Sequence, residues 1–288
     1  MKKLNKILLI LSFVLCFGGG LLLAIGAWAG GIDDAQELAN VRIQRYDQEK
    51  TQLDDFTALD ADLSICSMEI RPSDDDHAYL EYHIEGSVES APLHVTVQNG
   101  ELQLRDTNYT VSHSNVEQIL TSFLWLLPDA EREPYADGGG IILYLPETSF
   151  DSVHLELDMG ELSVDSLQAA QFTADLAMGS LNLTGTTLGQ SDIDLDMGTL
   201  TGDALTFNGD NIIDLSMGNA EITLSPESSA GLLIDANTNM GEISAPDSLG
   251  GNLLDTDDVV ANHFRRTPQG TPTGSLTINA DMGAIIFH

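Results

Sequence analysis

Three alternate aspartates, Asp192, Asp194 and Asp196, bring carboxylates together in a way that could bind a cation. Their spacing resembles the start of an EF-hand loop, in which such side chains are ligands of Ca²⁺. The resemblance fails in detail, because the glycine falls one place late and Asp203 stands where the loop needs a glutamate. These residues therefore predict a calcium site only if neighbouring segments supply further carboxylates.

The same stretch belongs to a repeat marked by Met-Gly pairs, which account for six of the eight methionines. Counted from each methionine as position zero, apolar residues recur at −4 and −2, and again at +3 and mostly +5. Two apolar positions an odd number of residues apart cannot share one face of a straight strand. Glycine tolerates unusual backbone dihedrals, so each pair predicts a corner between two strands. The corner glycines are Gly160, Gly179, Gly198, Gly218, Gly241 and Gly283.

A unit of about 20 residues is too small to bury its own apolar face, but stacked copies bury it jointly. The repeat therefore predicts an all-β fold, a β-solenoid with parallel ladders between coils. The period-two pattern places the methionines inside, where flexible thioethers would fill an irregular core. A methionine-lined site for soft copper ions is the functional alternative.

Outward positions of stacked coils should form columns of like side chains. Position −3 of successive coils holds Glu156, Asp175, Asp194 and Asp214, and carboxylates one ladder step apart repel one another. Such a column either turns into solvent or takes up cations. The candidate ligands of a Ca²⁺ ladder are Asp175, Asp192, Asp194, Asp196 and Asp214, and no other cofactor is expected.

The formal charge of −34 excludes nucleic acid as an expected partner. No Lys or Arg occurs between Glu133 and Phe264, so this surface should attract divalent cations or cationic peptides. A simple solvated, highly soluble surface is the plainer interpretation. Cys16 and Cys66 are the only cysteines, and Cys16 falls in an apolar run, so no intrachain disulfide is predicted.

The uncharged run at residues 7–29 is long enough to span a membrane as a single-pass helix. Lysines precede it, so residues 1–6 should be cytoplasmic and the rest extracytoplasmic. A cleaved signal peptide is the rival interpretation, since Ala27 and Ala29 supply a cleavage site. Residues 30–55 are predicted to form a helical stalk or linker, and residues 56–288 the ectodomain.

Three other segments depart from the repeat. Residues 94–104 contain Asn99-Gly100 and predict either a hairpin or an early, degenerate coil. An insertion at 112–137 predicts an amphipathic helix that caps the sheet or docks a membrane or partner. The loop 246–275 carries Arg265 and Arg266, which should pair with acidic columns or meet a partner. The chain ends inside a strand, which would leave the last coil uncapped unless another element covers it.

Motifs for catalysis, such as G-x-S-x-G or H-E-x-x-H, are absent, and we expect no enzyme. The anchor, then FTALDADLS (56–64), ILYLP (142–146) and the Met-Gly units together resemble the bacterial membrane-anchored "putative adhesin" family, a domain of unknown function. That resemblance implies a β-solenoid at the cell envelope with adhesion or envelope-stress roles. We therefore expect a non-enzymatic interaction or sensing module whose partner is an envelope protein or glycan. The alternatives are a Ca²⁺-dependent adhesin that binds carbohydrate or protein and, further off, a surface glycan hydrolase.

Overall fold

The computed structural model describes residues 43–87, 93–106, 140–255 and 262–288, which form one sheet with one short helix. The all-β class is confirmed. The strands are β1 (Ile43–Gln52), β2 (Ala58–Pro72), β3 (Tyr79–Ser87), β4 (Leu93–Gln98), β5 (Glu101–Asp106), β6 (Gly140–Leu145), β7 (Ser149–Asp165), β8 (Gln168–Thr184), β9 (Thr187–Phe207), β10 (Gly209–Leu224), β11 (Leu232–Ser244), β12 (Asn252–Asp255), β13 (Asn262–Arg266) and β14 (Gly274–Phe287), with helix α1 (Pro226–Gly231) between β10 and β11.

Strands β7, β8, β9 and β10 are successive copies of the repeat and pair in parallel, with each Met-Gly aligned on the next. Side chains at −4 and −2 before the corner, and at +3 and +5 after it, are buried in a single apolar core. Leu176 and Leu181 illustrate the two halves of one coil, and both are fully buried. Replacing such a leucine with alanine typically costs about 2–5 kcal/mol, so the core explains how coils without disulfides hold together.

The order of the coils in space differs from their order in sequence. The C-terminal strand β14 lies between β10 and β11 and pairs in parallel with both. The last coil is therefore covered on both sides, since β14 is internal to the sheet. Beyond β11 the sheet continues through β13 and then β12, which run antiparallel and cover that end. The wider spacing between Met217 and Met240 accommodates α1, and β11 is displaced by one coil position.

At the other end of the stack, β2 is a complete coil that pairs in parallel with β7. The next position is shared by two strands, because β5 aligns with the first half of β2 and β6 with its second half. Strands β4 and β5 form an antiparallel hairpin whose turn residues, Asn99 and Gly100, both have positive φ. Each of the two alternatives for residues 94–104 is thus partly correct, since β5 belongs to a hairpin and also stacks on β2.

Part of the predicted stalk belongs to the sheet. Ile43–Gln52 is the strand β1, which lies next to β3 instead of forming a helix. The Lys50 ammonium sits 3.9 Å from the centre of the Tyr144 ring, a cation–π contact that fastens β1 to β6. This polar segment is therefore a strand of the sheet and not part of a helical stalk.

Two predicted segments, the membrane span at 7–29 and the insertion at 112–137, lie outside the described residues. Within the described ranges, no helix has the length and apolar character needed to cross a membrane.

The predicted loop 246–275 is only partly a loop, because it contains strands β12 and β13. The two arginines at the end of β13 have different roles. Arg265 approaches Asp235 at 3.9 Å, the internal ion pair that was predicted. Arg266 is buried and instead donates to backbone carbonyls of Leu249 (2.8 Å), Leu232 (2.6 Å), Ser229 and Ala230. Burial lowers the pKa of its guanidinium. Because two of the acceptors end helix α1, Arg266 supplies donors that the helix C-terminus lacks.

Candidate functional surfaces

The corners are built on a column of glycines in which backbones of adjacent coils nearly touch. A Cβ added to Gly179 would lie 1.8 Å from the carbonyl oxygen of Gly160, and one added to Gly218 equally close to that of Gly198. Gly160 and Gly179 also have φ near +150°, a conformation that other residues rarely adopt. The structure gives two physical reasons for glycine at these positions, and the close approach is the stronger of the two.

The predicted interior stack of methionines is wrong. Each of the six Met-Gly methionines exposes 36–53% of its residue surface to solvent, on the outer side of the corner. Between the buried positions −2 and +3 the chain turns outward, so that Asp158 and Met159 in the first such coil both face solvent. We call these six residues the methionine ridge: Met159, Met178, Met197, Met217, Met282 and Met240, in spatial order.

The strand halves before the corner carry the predicted column of carboxylates. Glu156, Asp175, Asp194 and Asp214 are aligned in register across β7 to β10, and we call this surface the acidic face. Asp194 lies in its middle, where partial desolvation raises the pKa of its carboxyl. The charges of Asp175, Asp196, Asp214 and Asp192 raise this pKa further. Four of the five sequence-predicted cation ligands therefore lie near the fifth, Asp194, closely enough for their charges to affect it.

Toward β14 and β11 the acidic face gives way to amides. The Asn279 side-chain amide donates to Asp214 at 2.8 Å, and that of Asn237 donates to Asn279 at 3.3 Å. Because asparagine carries no charge, these two positions avoid the repulsion that a carboxylate in the same place would cause. The carboxylates at the centre of the face, Asp175 and Asp194, stack on other carboxylates on both sides.

A metal centre is not evident from this arrangement alone. In the described part of the chain, no group of three or more His, Cys, Asp or Glu side chains is placed to hold a metal ion. Asp192, Asp194 and Asp196 alternate along β9 and are exposed on a strand instead of wrapping a loop. Calcium binding by Asp175, Asp192, Asp194, Asp196 and Asp214 stays a prediction.

Sequence reasoning missed a groove of about 420 Å³ on the outward side of the second strand halves. Arg71 pairs with Glu69 on its floor, and Tyr144 donates to Glu81 at 3.1 Å beside it. Asn182 donates to Glu161 at 2.8 Å on the rim side of β8. The groove joins β2 to the consecutive strands β6, β7 and β8, which lie far from β2 in sequence. The sequence signal for it was an arginine in an otherwise acidic strand.

Cys66 occupies the glycine position of the first coil, aligned with Gly160. It is a free, half-buried thiol, and burial raises its pKa to about 12, with the charge of Asp106 contributing. A thiol that stays protonated is a poor nucleophile and a poor metal ligand. Cys66 therefore ends the glycine column as a structural residue.

The sequence profile of the family described as Toastrack DUF4097 matches residues 56–250. This chain belongs to the Toastrack family. The match spans the first coil through β11, so the family expected from the sequence is confirmed as a domain of unknown function whose unit is the coil stack described above.

Solved structures similar to this Toastrack chain include three described as a "putative cell adhesion protein", a "putative adhesin" and a "putative lipid binding protein". The first, from Clostridium sporogenes, has 14% identity and a TM-score of 0.42 over 85% of this chain and 99% of its own. The second, from Bacteroides fragilis, has 13% identity and a TM-score of 0.32 over 86% and 97%. The third, from Parabacteroides distasonis, has 12% identity and a TM-score of 0.25 over 86% and 97%. Comparison with curated proteins finds no match.

Proposed function

We propose that this Toastrack protein is a non-enzymatic, extracytoplasmic interaction module that docks a cationic partner surface of the cell envelope on its acidic face. The observation that carries the proposal is the register of Asp175, Asp194 and Asp214, which forms a straight row of carboxylates across three coils. A flat row repeated at the ladder spacing of ~4.8 Å matches an extended basic segment better than a small enclosed ligand.

Charge supports this docking mode. No Lys or Arg lies between Glu133 and Phe264, so the coils that carry the acidic face supply no cation of their own. Partial desolvation, followed by the charges of the neighbouring carboxylates, raises the pKa of Asp194, so these carboxylates still repel one another. A cationic partner would relieve that repulsion and would be steered to the face by its long-range field. Binding should therefore weaken steeply with salt.

The location is part of the proposal. Residues 7–29 would anchor the protein as a single-pass membrane helix with residues 1–6 in the cytoplasm and the coil stack outside. The positive-inside pattern of Lys2, Lys3 and Lys6 before the apolar run supports this orientation. An envelope-facing position would place the acidic face where a wall or surface partner can reach it.

The test is retention of the purified full chain on envelope material that has been washed with detergent, so that membrane insertion cannot hold it. We expect retention in low salt, loss in high salt, and loss in the triple variant Asp175→Asn/Asp194→Asn/Asp214→Asn. The matched control is Asp54→Asn/Asp55→Asn/Asp76→Asn, which removes three exposed carboxylates outside the face. Equal retention of both triple variants would contradict the proposal.

A Ca²⁺-dependent adhesin is the second candidate, favoured by the four carboxylates that surround Asp194. It predicts that retention needs Ca²⁺ and disappears in chelator. It also predicts a melting temperature higher by roughly 2–5 °C in millimolar Ca²⁺ than in NaCl of equal ionic strength. An unchanged melting temperature would remove the calcium ladder, whereas retention unaffected by chelator would leave direct docking of a cationic surface.

A further inference from the structure

We propose that the methionine ridge is a binding site for a soft monovalent metal ion, Cu(I), which is held between the thioethers of adjacent coils. This site is separate from the acidic face and does not depend on its proposed docking role. It follows from where the six methionines lie, how they are spaced and what flanks them.

The ridge is exposed, although methionine is an apolar residue. Seven large hydrophobic side chains are exposed in the described part of the chain, and six of them are the ridge methionines, the other being Ile212. Neighbouring core positions use Leu, Ile, Val and Ala, while Met68 is the buried methionine of β2. Packing therefore does not account for a methionine at every corner. The thioether is what distinguishes methionine from the leucine used in the core.

The spacing of the ridge suits two-coordinate binding. Met178 aligns with Met197, Met197 with Met217, and Met217 with Met282 across parallel strands. Neighbouring strands lie ~4.8 Å apart, so equivalent side chains can place their sulfur atoms at about that distance. Two metal–sulfur bonds of about 2.3 Å each, the length of a zinc–thiolate bond, span nearly the same distance in line. One ion can thus sit between each pair of neighbouring methionines without moving the backbone.

The chemistry of the ligands selects the metal. Thioethers are soft, neutral ligands that favour Cu(I), whereas carboxylates alone favour hard cations such as Ca²⁺. Cations bound in a column to neutral ligands would repel one another, and carboxylates next to them would reduce that repulsion. Asp158, Asp196 and Asp281 each precede a ridge methionine, so a carboxylate flanks three of the six coils at the ridge itself.

The test uses the purified full chain with both cysteines replaced, Cys16→Ser/Cys66→Ser, so that no thiol competes for the metal. Cu(I) is supplied without oxygen and titrated against a chromophoric Cu(I) chelator. We expect about three bound ions per chain, one for each pair of the six thioethers. Met178→Leu/Met197→Leu breaks two of the three pairs and should reduce the bound metal by about two thirds, and leucine at all six ridge positions should abolish it. Met68→Leu is the matched control and should change nothing.

A second readout needs no variant of the ridge. Ag(I), which shares the preference for soft ligands and does not change its oxidation state here, should slow the conversion of the six ridge methionines to sulfoxide by peroxide. The rates, measured by peptide mass spectrometry, should fall at least tenfold at the ridge and stay unchanged at the buried Met68. Undiminished Cu(I) binding after all six replacements, or no protection by Ag(I), would overturn the proposal. A ridge that serves instead as an apolar docking stripe would bind no Cu(I) even in the wild type and would gain no protection from Ag(I).

Discussion

Gly198 in β9 stacks on Gly179 in β8 so closely that a methyl group on Gly198 would lie 2.0 Å from the Gly179 carbonyl oxygen. The obstacle is backbone, which cannot rotate away as a side chain can. This contact recurs along the whole column of corner glycines, and the methionine beside each glycine faces outward. The corner thus links a sequence motif to the two exposed surfaces of the protein.

Gly198→Ala is therefore expected to destabilise the protein by more than about 3 kcal/mol, because two coils must separate to admit the methyl group. Gly270→Ala is the control, since nothing lies within 4 Å of the added Cβ there. Denaturant unfolding followed by circular dichroism gives both values. A loss of under about 1 kcal/mol at Gly198 would show that the corner is not closely packed.

Asp194→Asn is expected to stabilise the protein at neutral pH by a few tenths to about 1 kcal/mol, since like charges directly opposite in a sheet are destabilising. The folded-state pKa of Asp194 lies above its ordinary value of 3.8, so the folded state binds more protons just above pH 3.8. The destabilisation by Asp194 is fully present above its folded-state pKa. It is relieved as the pH falls from that pKa toward 3.8. Melting curves from pH 3.5 to 7 should show a weaker pH dependence in the variant. Asp54→Asn, which also removes one charge but outside the acidic face, is the matched control.

Arg266→Met is expected to cost about 2–4 kcal/mol, because four backbone carbonyls lose their donor when a buried guanidinium is removed. Arg265→Met should stay within about 0.5 kcal/mol, since its ion pair with Asp235 is long and exposed. Chemical denaturation of the two variants gives the comparison. Similar losses for both arginines would mean that the carbonyl contacts of Arg266 add nothing to stability.

The Cys66 thiol should react slowly with a thiol reagent in the native protein. A pKa raised from 9.0 to about 12 lowers the thiolate fraction at pH 8 roughly a thousandfold. The rate can be followed optically in a Cys16→Ser background, and denaturant should restore the rate of an ordinary cysteine. Fast native labelling would place the sulfur in water and contradict its burial at the end of the glycine column.

Much of the coil was accessible to sequence reasoning, because alternation and a fixed period report local geometry. The inward leucines at −2 and +3, the glycine corners and the register of Asp175, Asp194 and Asp214 all follow from that pattern. The exposure of the methionines does not follow from it. The odd spacing between positions 0 and +3 shows that the alternation shifts by one residue, but not which residue lies outside the core. That Met197 and its counterparts stay outside is visible only in the folded structure.

Features that depend on non-local pairing were also out of reach. The placement of β14 between β10 and β11, and the coil shared by β5 and β6, depend on which edge a strand finds and not on its own residues. The groove near Arg71 combines strands from distant parts of the chain for the same reason. Arg266 was expected to seek a carboxylate, yet it caps the end of a helix that the sequence pattern had not revealed.

The most direct test of the acidic face as a docking surface is photo-cross-linking in living cells. A photoreactive residue replaces Thr173, which lies on that face two residues before Asp175, or Ser163, which lies outward on the second strand half. We predict a discrete cross-linked species from position 173 but not from 163, and its loss when Asp175, Asp194 and Asp214 are all changed to asparagine. Equal cross-linking from both positions, or a species at 173 that survives the three substitutions, would contradict docking on the acidic face.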